Sequence, residues 1–371
     1  MEPKCDIIVL TWNQKSLIKE FTDSILENTI TPSRLIIIDN ASKDGTQDYL
    51  KTLKGNEIVK IEVIFNKENL GYVGGMNQGL VLSKSEYVCL MNNDVLVTKG
   101  WLSKMIKVAE SHPQIGIVNP QSNNFGVFPP KGMSLNEFAQ KLEQKFNNEF
   151  VEFNTCIGFC MLIKRKVIEK IGFLSTEFAP IFFEDTDFSM RAKKAGFLCV
   201  GALSAYVWHH EHKAVSRMKE REEIFKRNKE KFEKKWGRFL RIAFITKNLP
   251  QSEGFKDDFL KAIKLARLSN FIHFFFKNPQ NLSPKVFFKD LNEVVNCNLK
   301  FFYPKHFLNF NLYVLWRILK RRKKKYDIII VPTKGMFNNF KFLKFLHRAD
   351  VIFNEPVEIL LEFCKRKKFE K

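Results

Sequence analysis

Short apolar runs alternate with amphipathic segments along the first two thirds of the chain. Runs rich in Val, Ile and Leu predict strands that are buried on both faces, as in parallel sheets. These predicted strands are residues 6–11, 35–38, 58–65, 87–91, 115–118 and 158–163. Apolar residues at helical spacing predict helices over residues 14–28, 101–111, 166–171, 184–196 and 220–236, and another begins near residue 46. The alternation predicts an α/β domain with a mostly parallel, Rossmann-like sheet flanked by helices.

The run at residues 87–91 ends abruptly in Asn92, Asn93 and Asp94. In open α/β sheets, ligands bind at the carboxyl ends of the strands. One carboxylate among amide oxygens suits a hard divalent cation that carries phosphates. Asn and Asp are also the usual turn residues, so a plain polar turn is the alternative.

The loops after the first and third predicted strands carry different glycine patterns. LTWNQ, after the first strand, contains no glycine, which argues against the dinucleotide-binding motif of a nicotinamide dehydrogenase. After residues 58–65, glycines stand at positions 71, 74, 75 and 79. They are typical either of backbone that approaches a ligand closely, beside a helix N-terminus, or of an ordinary loop.

Three further features interrupt or follow the strand–helix alternation. Residues 119–154, rich in Pro, Asn and Phe, predict a long irregular excursion. Glu184, Asp185 and Asp187 stand at a helix start, where acidic residues can simply stabilise the helix dipole. They directly follow an Ile-Phe-Phe run, and three carboxylates exceed what a cap needs. A strand ends in His209 and His210, which are either candidate metal ligands or ordinary histidines.

Charge and composition change near residue 237. The chain has a net charge of +21, and residues 238–371 contribute +17 of it, from 28 Lys and Arg against 11 Asp and Glu. Predicted strands at residues 241–246 and 326–332 and a helix at residues 255–268 indicate a second, smaller and basic α/β domain. This tail resembles half of a GT-B-type Rossmann domain, and a scaffold or acceptor-side role is the alternative to any chemistry of its own.

The tail also suggests an attraction to membranes. Residues 307–319 are largely apolar and precede five consecutive cations at positions 321–325, a pattern that suits an anionic membrane surface. The same apolar residues could instead form a buried helix. No run of about 18 apolar residues occurs, so a spanning segment is not expected. The seven cysteines lack zinc-site spacing, several lie in predicted strands, and together they suggest a reduced, cytosolic protein.

Eight motifs, taken in order, resemble the inverting family-2 glycosyltransferases, which have the GT-A fold and use nucleotide-diphosphate sugars. They cover about residues 5–237 and read VLTWN, LIIIDNASKDGT, NLGYVGGMNQG, LMNNDV, GFCMLIKRKVIEKIGFL, FFEDTDFSMRAKKAG, VWHH and FEKKWG. The family's Asp-x-Asp appears here as Asn92-Asn93-Asp94, without its first carboxylate. The resemblance implies a GT-A domain at residues 1–237, followed by the basic domain at residues 238–371.

The resemblance also implies roles for individual residues. The donor-binding residues would be Thr11, Asn13, Asp39, Asp44, Asn69, Gly71, Gly75, Asn77, Asn92 and Asn93. Among these, Asp39 would meet the base. Asp94 would hold Mn²⁺ or Mg²⁺ on the diphosphate, with His209, or alternatively His210, as a second ligand. Asp185 in the Glu184-Asp185 pair would be the catalytic base.

The expected function is therefore a metal-dependent, inverting hexosyl transfer in surface polysaccharide or cell-envelope synthesis. The expected donor is a UDP- or dTDP-sugar, and the acceptor is a glycan or a lipid-linked hydroxyl. The expected location is cytoplasmic, peripheral on the inner face of the cell membrane, and no nucleic-acid motif is visible. The alternatives are a nucleotidyltransferase, whose glycine- and lysine-rich loop is missing after the first strand, and an inactive sugar-nucleotide-binding scaffold.

Overall fold

The structure is a computed structural model that describes residues 2–210, 220–291, 293–304, 309–320 and 325–370. It divides into two compact units, Met1–Phe232 and Glu233–Lys371. Among the described residues, no helix is both long enough and apolar enough to cross a membrane.

The first unit contains one mixed, mostly parallel sheet with helices on both faces. Its strands are β1 (Cys5–Thr11), β2 (Ser33–Asp39), β3 (Val59–Phe65), β4 (Tyr87–Asn92), β5 (Val95–Val97), β6 (Ile115–Ser122), β7 (Phe150–Phe153), β8 (Cys160–Lys164) and β9 (Leu198–His209). Its helices are α1 (Lys15–Asn28), α2 (Thr46–Thr52), α3 (Gly71–Leu82), α4 (Trp101–Glu110), α5 (Leu135–Phe146), α6 (Arg165–Ile171) and α7 (Glu184–Lys194), and α8 (Arg221–Trp236) runs across the boundary between the units. Over the described residues the strand order is β3-β2-β1-β4-β8-β6-β9-β5, and β7 pairs with β9. The predicted α/β class is confirmed.

Alternate residues of the central strands enter two separate cores, which is why the strands are apolar throughout. Ile7 and Val9 of β1 pack with Phe21 of α1 on one face of the sheet. Ile8 of β1 packs with Met76 of α3 on the other face.

Strand register brings polar strand ends to one edge of the sheet. In the parallel β1–β2 pair, Thr11 lies opposite Asp39. In the parallel β1–β4 pair, Leu10 lies opposite Asn92. Antiparallel pairing of β5 with β9 sets Val95 opposite His209, and therefore brings His209 beside Asp94. These pairings form the edge at which the candidate site lies.

Two predicted segments differ from the structure. The excursion predicted at residues 119–154 contains the end of β6, all of α5 and β7. Helix α5 begins with a capping box between Ser134 and Glu137. Its Phe138 ring packs edge-on against the Tyr206 ring of β9, with the ring centroids 5.0 Å apart. The prolines and asparagines around α5 masked its helical period.

The glycines at 71–79 form helix α3 rather than a loop. A Cβ on Gly75 would lie 2.3 Å from Leu10 Cδ1, and one on Gly79 would lie 2.3 Å from Ile8 Cγ2. These two glycines therefore let α3 pack closely on β1. Gly71, with φ +71°, begins the helix in the left-handed region that favours glycine.

The second unit is a parallel α/β sheet, as the tail pattern predicted. Its strands are β10 (Arg241–Ile245), β11 (Phe271–Phe275), β12 (Leu299–Phe302), β13 (Ile328–Val331) and β14 (Asp350–Phe353). Its helices are α9 (Glu253–Arg267), α10 (Pro284–Asp290), α11 (Phe310–Leu319), α12 (Lys334–Phe342), α13 (Lys344–His347) and α14 (Val357–Lys367). Within the described residues the order β12-β11-β10-β13-β14 is that of a doubly wound Rossmann half.

Candidate active site

A cavity of about 640 Å³ opens at the carboxyl ends of β1 and β4. Its size lies within the range of roughly 300–1,000 Å³ that is usual for small-ligand sites. Many of the predicted site residues line it: Thr11, Asn69, Gly71, Asn92, Asn93, Asp94, Glu184, Asp185 and His209. The chain thus brings residues from both ends of the first unit into one cavity.

Asn93 and Asp94 form the turn between β4 and β5, and their side chains also line the cavity. Asn93 Nδ2 donates to Thr11 Oγ1 at 3.1 Å and to Gln14 Oε1 at 2.8 Å, which ties the end of β4 to the start of α1. Asp94 is only 7% exposed, and its Oδ1 lies 3.0 Å from His209 Nε2. Turn geometry and a carboxylate in the cavity therefore coexist at this tripeptide.

Five contacts hold His209 in place. Asn123 Oδ1 accepts from the His209 amide at 2.8 Å, and Asn123 Nδ2 donates to the His209 carbonyl at 2.7 Å. The imidazole stacks on Phe159, with the ring centroids 5.2 Å apart. Asn124 Nδ2 lies 2.8 Å from His209 Nδ1, and Asp94 Oδ1 lies 3.0 Å from His209 Nε2. If the Asn124 amide nitrogen donates to Nδ1, then Nε2 carries the proton and donates to Asp94. His210 is not among the cavity-lining residues, and its Nε2 lies 3.9 Å from Glu20.

Asp185 and Glu184 occupy the first turn of α7, and both line the cavity. Asp185 Oδ2 accepts from the Gly158 amide at 2.9 Å, and Oδ1 accepts from the Thr186 amide at 2.6 Å. Burial raises the pKa of Asp185 above its ordinary value, and these hydrogen bonds oppose the rise.

Glu184 is 5% exposed, and its Oε2 has no hydrogen-bond partner among the described residues. Burial, followed by the neighbouring charge of Asp185, raises the pKa of Glu184 to about 8. Asp187, the third carboxylate of this helix start, is fully buried. Its Oδ2 instead forms an ion pair with Arg191, whose Nε lies 2.8 Å away. The structure thus separates two carboxylates that face the cavity from one that holds the fold.

Other predicted donor-binding residues do not line the cavity and connect neighbouring loops. Asn13 donates from its amide to Ser42 Oγ and accepts from the Lys43 amide. Asp44 accepts from the Lys15 amide and from Thr46, and these bonds, acting against burial, lower its pKa. These contacts fix the loop after β2 against the loop after β1.

Asp39, Gly75 and Asn77 also lie outside the cavity lining. Asp39 is fully buried, with Oδ2 bonded to Gln47 at 2.7 Å, while Oδ1 has no partner in the described part of the chain. Asn77 exchanges two hydrogen bonds with the backbone of Leu174. Gly75 and Asn77 therefore act in packing, whereas Asp39 retains one oxygen able to accept from a ligand.

Several residues that line the cavity or hold His209 could not be identified from the sequence. Asn123 and Asn124 lie in a short 3-10 helix within the excursion, and no sequence period marks them. Tyr72 lines the cavity, and its hydroxyl lies 3.4 Å from the Gly158 carbonyl oxygen. Phe182 and Phe183, with φ of 77° and 71°, line it from a strained segment. The Ile-Phe-Phe run is recognisable in the sequence as apolar, but no sequence signal marks its left-handed backbone.

The residues present fit a divalent cation that is held largely by a ligand. Among the described residues, no three His, Cys, Asp or Glu side chains cluster as a metal site. Asp94 Oδ1 and His209 Nε2 are 3.0 Å apart. Adjacent ligands of an octahedral ion bound at about 2.1 Å are separated by about 3.0 Å. The protein can therefore supply two neighbouring ligands, and phosphate oxygens and water can supply the rest.

The first unit is a mixed α/β domain with a mostly parallel central sheet flanked by helices. Residues 6–172 match the model of the family described as "Glycosyl transferase family 2". The predicted resemblance to this family is confirmed over the matched residues.

Individual relatives are distant. An uncharacterized glycosyltransferase of Haemophilus influenzae is 27% identical over 192 residues, which are 50% of this chain and 60% of that protein. The poly-beta-1,6-N-acetyl-D-glucosamine synthase of Staphylococcus aureus is 22% identical over 195 residues, which are 51% of this chain and 46% of that protein. The solved structure of mannosyltransferase PcManGT from Pyrobaculum calidifontis, in complex with GDP-Man and Mn²⁺, has 20% identity and a TM-score of 0.44, and covers 58% of this chain and 59% of that one. The chain spans 24%, 35% and 60% of the length of three curated relatives that it matches.

Proposed function

We propose that the chain is a metal-dependent, inverting glycosyltransferase. It transfers a hexosyl group from a nucleotide-diphosphate sugar, such as a UDP- or dTDP-sugar, to a hydroxyl of a glycan or a lipid-linked acceptor. The observation that carries the proposal is that one cavity is lined both by the Asp94–His209 pair and by the Glu184–Asp185 pair. A single displacement needs one end of the cavity to hold the diphosphate leaving group and the other end to accept the proton of the acceptor hydroxyl.

Asp185 is the catalytic base of the proposal. It takes the proton from the acceptor hydroxyl as that oxygen attacks the anomeric carbon. Hydrogen bonds from Gly158 and Thr186 hold the carboxylate in one orientation. Burial raises the pKa of Asp185, which strengthens it as a base while the hydrogen bonds still favour its ionised form.

Glu184 binds the substrate as a neutral carboxylic acid. Its pKa of about 8 keeps it protonated at neutral pH, so it can donate a hydrogen bond to a sugar oxygen in the cavity. Its protonation also removes a second negative charge from the surroundings of Asp185.

Asp94 and His209 hold the donor at its diphosphate end. With Mn²⁺ or Mg²⁺ bound there, the departing diphosphate gains Lewis-acid stabilisation of its developing charge. Asn93 and Thr11 keep the turn that carries Asp94 against the end of β1. Asp39 remains the residue proposed to meet the base. The support is its Oδ1, which has no partner among the described residues, although the side chain is buried outside the cavity lining between loops held by Asn13 and Asp44.

The proposed acceptor belongs to surface polysaccharide synthesis. The support is the likeness to the Staphylococcus aureus polysaccharide synthase, which covers about half of this chain. Because activated sugar nucleotides are made inside the cell, the proposal also places the enzyme in the cytoplasm, peripheral on the inner face of the membrane. Residues 238–371 would form its separate basic domain.

A thermal-shift screen distinguishes the proposed enzyme from a protein that has the same fold but binds no nucleotide. UDP, dTDP, GDP and CDP are each added to the full chain with and without Mn²⁺. A ligand that binds only the native state stabilises it, by about 2.7 kcal/mol at a concentration of 100 Kd, and therefore raises the melting temperature. We expect one nucleotide to raise the melting temperature only when Mn²⁺ is present. No shift with any nucleotide would contradict the proposal.

Donor-sugar hydrolysis separates an enzyme from a sugar-nucleotide-binding scaffold. The nucleotide identified by the screen is supplied as its diphosphate sugars, and release of the free nucleotide diphosphate is measured. Slow release is expected from the enzyme. Binding without any release would favour the scaffold.

A further inference from the structure

Helix α11 shows that the apolar stretch of the tail has two different faces. Phe310, Val314 and Ile318 are at most 5% exposed and belong to the core on one face of the second sheet. Leu312 and Trp316, four residues apart on another face, are 62% and 54% exposed. The stretch predicted to meet a membrane is thus partly a core helix, and its residues 307, 308 and 321–324 lie outside the described residues.

A second apolar segment, which the sequence did not suggest, lies at the end of α12 and on α13. Phe342, Phe345 and Leu346 are spaced like one face of a helix and are 79%, 69% and 47% exposed. Phe342 and Phe345 are the most exposed large apolar side chains of the described chain. Helix α13, which carries Phe345 and Leu346, contacts α11. Exposed apolar side chains that cluster on contacting helices favour an interaction site.

Cations surround these aromatic residues. Lys320 Nζ lies 4.9 Å from the Trp316 ring centroid. Lys341 and Lys344 flank Phe342 in the chain, and Lys325 Nζ donates to the Leu346 carbonyl at 3.2 Å. Aromatic and aliphatic side chains with lysines beside them are the composition of interfacial membrane-binding surfaces.

We propose that Leu312, Trp316, Phe342, Phe345 and Leu346, here called the α11–α13 face, dock this protein on an anionic lipid surface. The charge of residues 238–371 selects this occupant, because their +17 balance is attracted to anionic headgroups. A second copy of the chain would bring an equally positive surface against this one, which like-charge repulsion disfavours. The inference does not depend on the proposed sugar transfer.

Vesicle co-sedimentation of the full chain tests the inference. Vesicles of phosphatidylcholine alone are compared with vesicles that also contain phosphatidylglycerol. We expect binding only to the anionic vesicles, and weaker binding in high salt because salt screens the attraction. Equal binding to both vesicle types, or binding to neither, would overturn the inference.

Two variants locate the surface. Phe342→Ser combined with Phe345→Ser removes the most exposed rings and is expected to weaken vesicle binding by about tenfold or more. The matched control combines Val81→Ser with Phe128→Ser, since these side chains are 66% and 60% exposed in the first unit. The control should bind as the parent does. Equal binding by the Phe342 and Phe345 variant and the parent would overturn the assignment.

Charge and self-association complete the test. Lys320→Gln combined with Lys341→Gln should lower the affinity for anionic vesicles and flatten its salt dependence. Sedimentation velocity without vesicles should show no self-association that depends on Phe342 and Phe345. Dimerisation that the serine variants abolish, together with absent vesicle binding, would assign the face to a second copy and overturn the lipid proposal.

A second inference concerns Asn124 and rests on the proposed metal-dependent function. Asn124 Oδ1 is buried and has no hydrogen-bond partner among the described residues, while Nδ2 of the same amide lies 2.8 Å from His209 Nδ1. In this arrangement His209 Nε2 carries a proton and has no lone pair for a cation. Rotation of the amide by half a turn would exchange its two atoms, so that Oδ1 accepts a proton from Nδ1.

We infer that Asn124 is a positioning residue that selects the metal-binding tautomer of His209. With Nδ1 protonated and bonded to Asn124 Oδ1, the Nε2 lone pair faces Asp94 Oδ1 at 3.0 Å, and a cation can lie between them. Histidine ligands generally donate their second N–H to such an acceptor, and removal of the acceptor typically weakens metal binding 10- to 100-fold.

Calorimetry with Mn²⁺ and the nucleotide diphosphate chosen by the thermal screen tests this role. Asn124→Leu should weaken the Mn²⁺ dependence about 10-fold or more, whereas Asn124→Asp, which offers only acceptors, should retain it. Nitrogen chemical shifts of His209 should report protonated Nε2 without a cation and protonated Nδ1 with Mg²⁺, which is diamagnetic and therefore leaves the histidine signals visible. Full Mn²⁺ dependence in the Leu variant would overturn the inference, whereas an absent Mn²⁺ effect in the parent would overturn the proposed function.

Discussion

At the scale of single residues, the proposed donor binding depends most on Asp94. Asp94 is 7% exposed, and its Oδ1 lies 3.0 Å from His209 Nε2. Among the described residues, no third His, Cys, Asp or Glu side chain joins this pair as a metal site. We expect Asp94→Ala to abolish Mn²⁺-dependent binding of the nucleotide diphosphate and His209→Ala to weaken it. Calorimetry with and without Mn²⁺ is the measurement, with Asp48→Ala as control, since the Asp48 side chain is 82% exposed. A full Mn²⁺ effect in the Asp94 variant would reduce Asn92-Asn93-Asp94 to a turn.

Glu184 predicts a pH dependence of stability. Its pKa is raised from 4.5 to about 8, so the folded state holds a proton that the unfolded state loses between these values. The stability linked to Glu184 is fully present below about pH 4.5 and is lost as pH rises toward about 8. Glu184→Gln, which cannot ionise, should therefore raise the melting temperature more at pH 8 than at pH 5. An equal effect at both pH values would show that Glu184 is not buried as a neutral acid.

The sequence could propose Asp94, His209 and Asp185, because each stands at the end of an apolar run. It could not propose Asn124, which meets His209 across 85 positions of the chain. Spacing alone could not separate Asp185 from Asp187, and only the family resemblance singled out Asp185. In the structure, burial and the Arg191 pairing decide which carboxylate faces the cavity. Side-chain partners distant in sequence leave no local pattern.

At the scale of elements, Gly75 determines how closely α3 packs on β1. An alanine there would place Cβ 2.3 Å from Leu10 Cδ1, and Leu10 also lines the cavity. We expect Gly75→Ala to cost about 1–3 kcal/mol of stability, the usual cost of overpacking. Gly335→Ala is the matched control, because nothing lies within 4 Å of its added Cβ, and it should be neutral or stabilising. A stability in the Gly75 variant equal to that of the parent would show that α3 can shift freely.

The apolar runs located the strands well because burial on both faces requires uninterrupted apolar sequence. β1 and β4 lie where residues 6–11 and 87–91 predicted them, to within one residue at each end. The amphipathic α5 was missed because prolines and asparagines before it suggested irregular chain. Most of β9 was also missed, and only its end at His209 was predicted.

At the scale of the whole molecule, two sheets with separate cores predict two unfolding transitions. Scanning calorimetry of the full chain should resolve them, and a bound nucleotide diphosphate with Mn²⁺ should raise only the transition of the first unit. A single transition that moves as a whole on ligand addition would show that the two units unfold as one.

The composition change near residue 237 indicated a second domain because the tail holds most of the net charge. The structure divides between Phe232 and Glu233, within α8. Composition cannot show which tail residues are buried. Phe310 and Leu312 are equally apolar in sequence, yet one is 5% and the other 62% exposed.

The most direct test of sugar transfer by this chain is turnover of the Asp185→Asn variant. Release of nucleotide diphosphate from the donor sugar is measured for the variant and the parent at saturating donor, and donor affinity is measured by calorimetry. We expect nearly unchanged donor affinity and turnover lower by about 10²-fold or more, because the variant lacks the proton acceptor. Turnover in the variant comparable to that of the parent would contradict the assignment of Asp185 as the base.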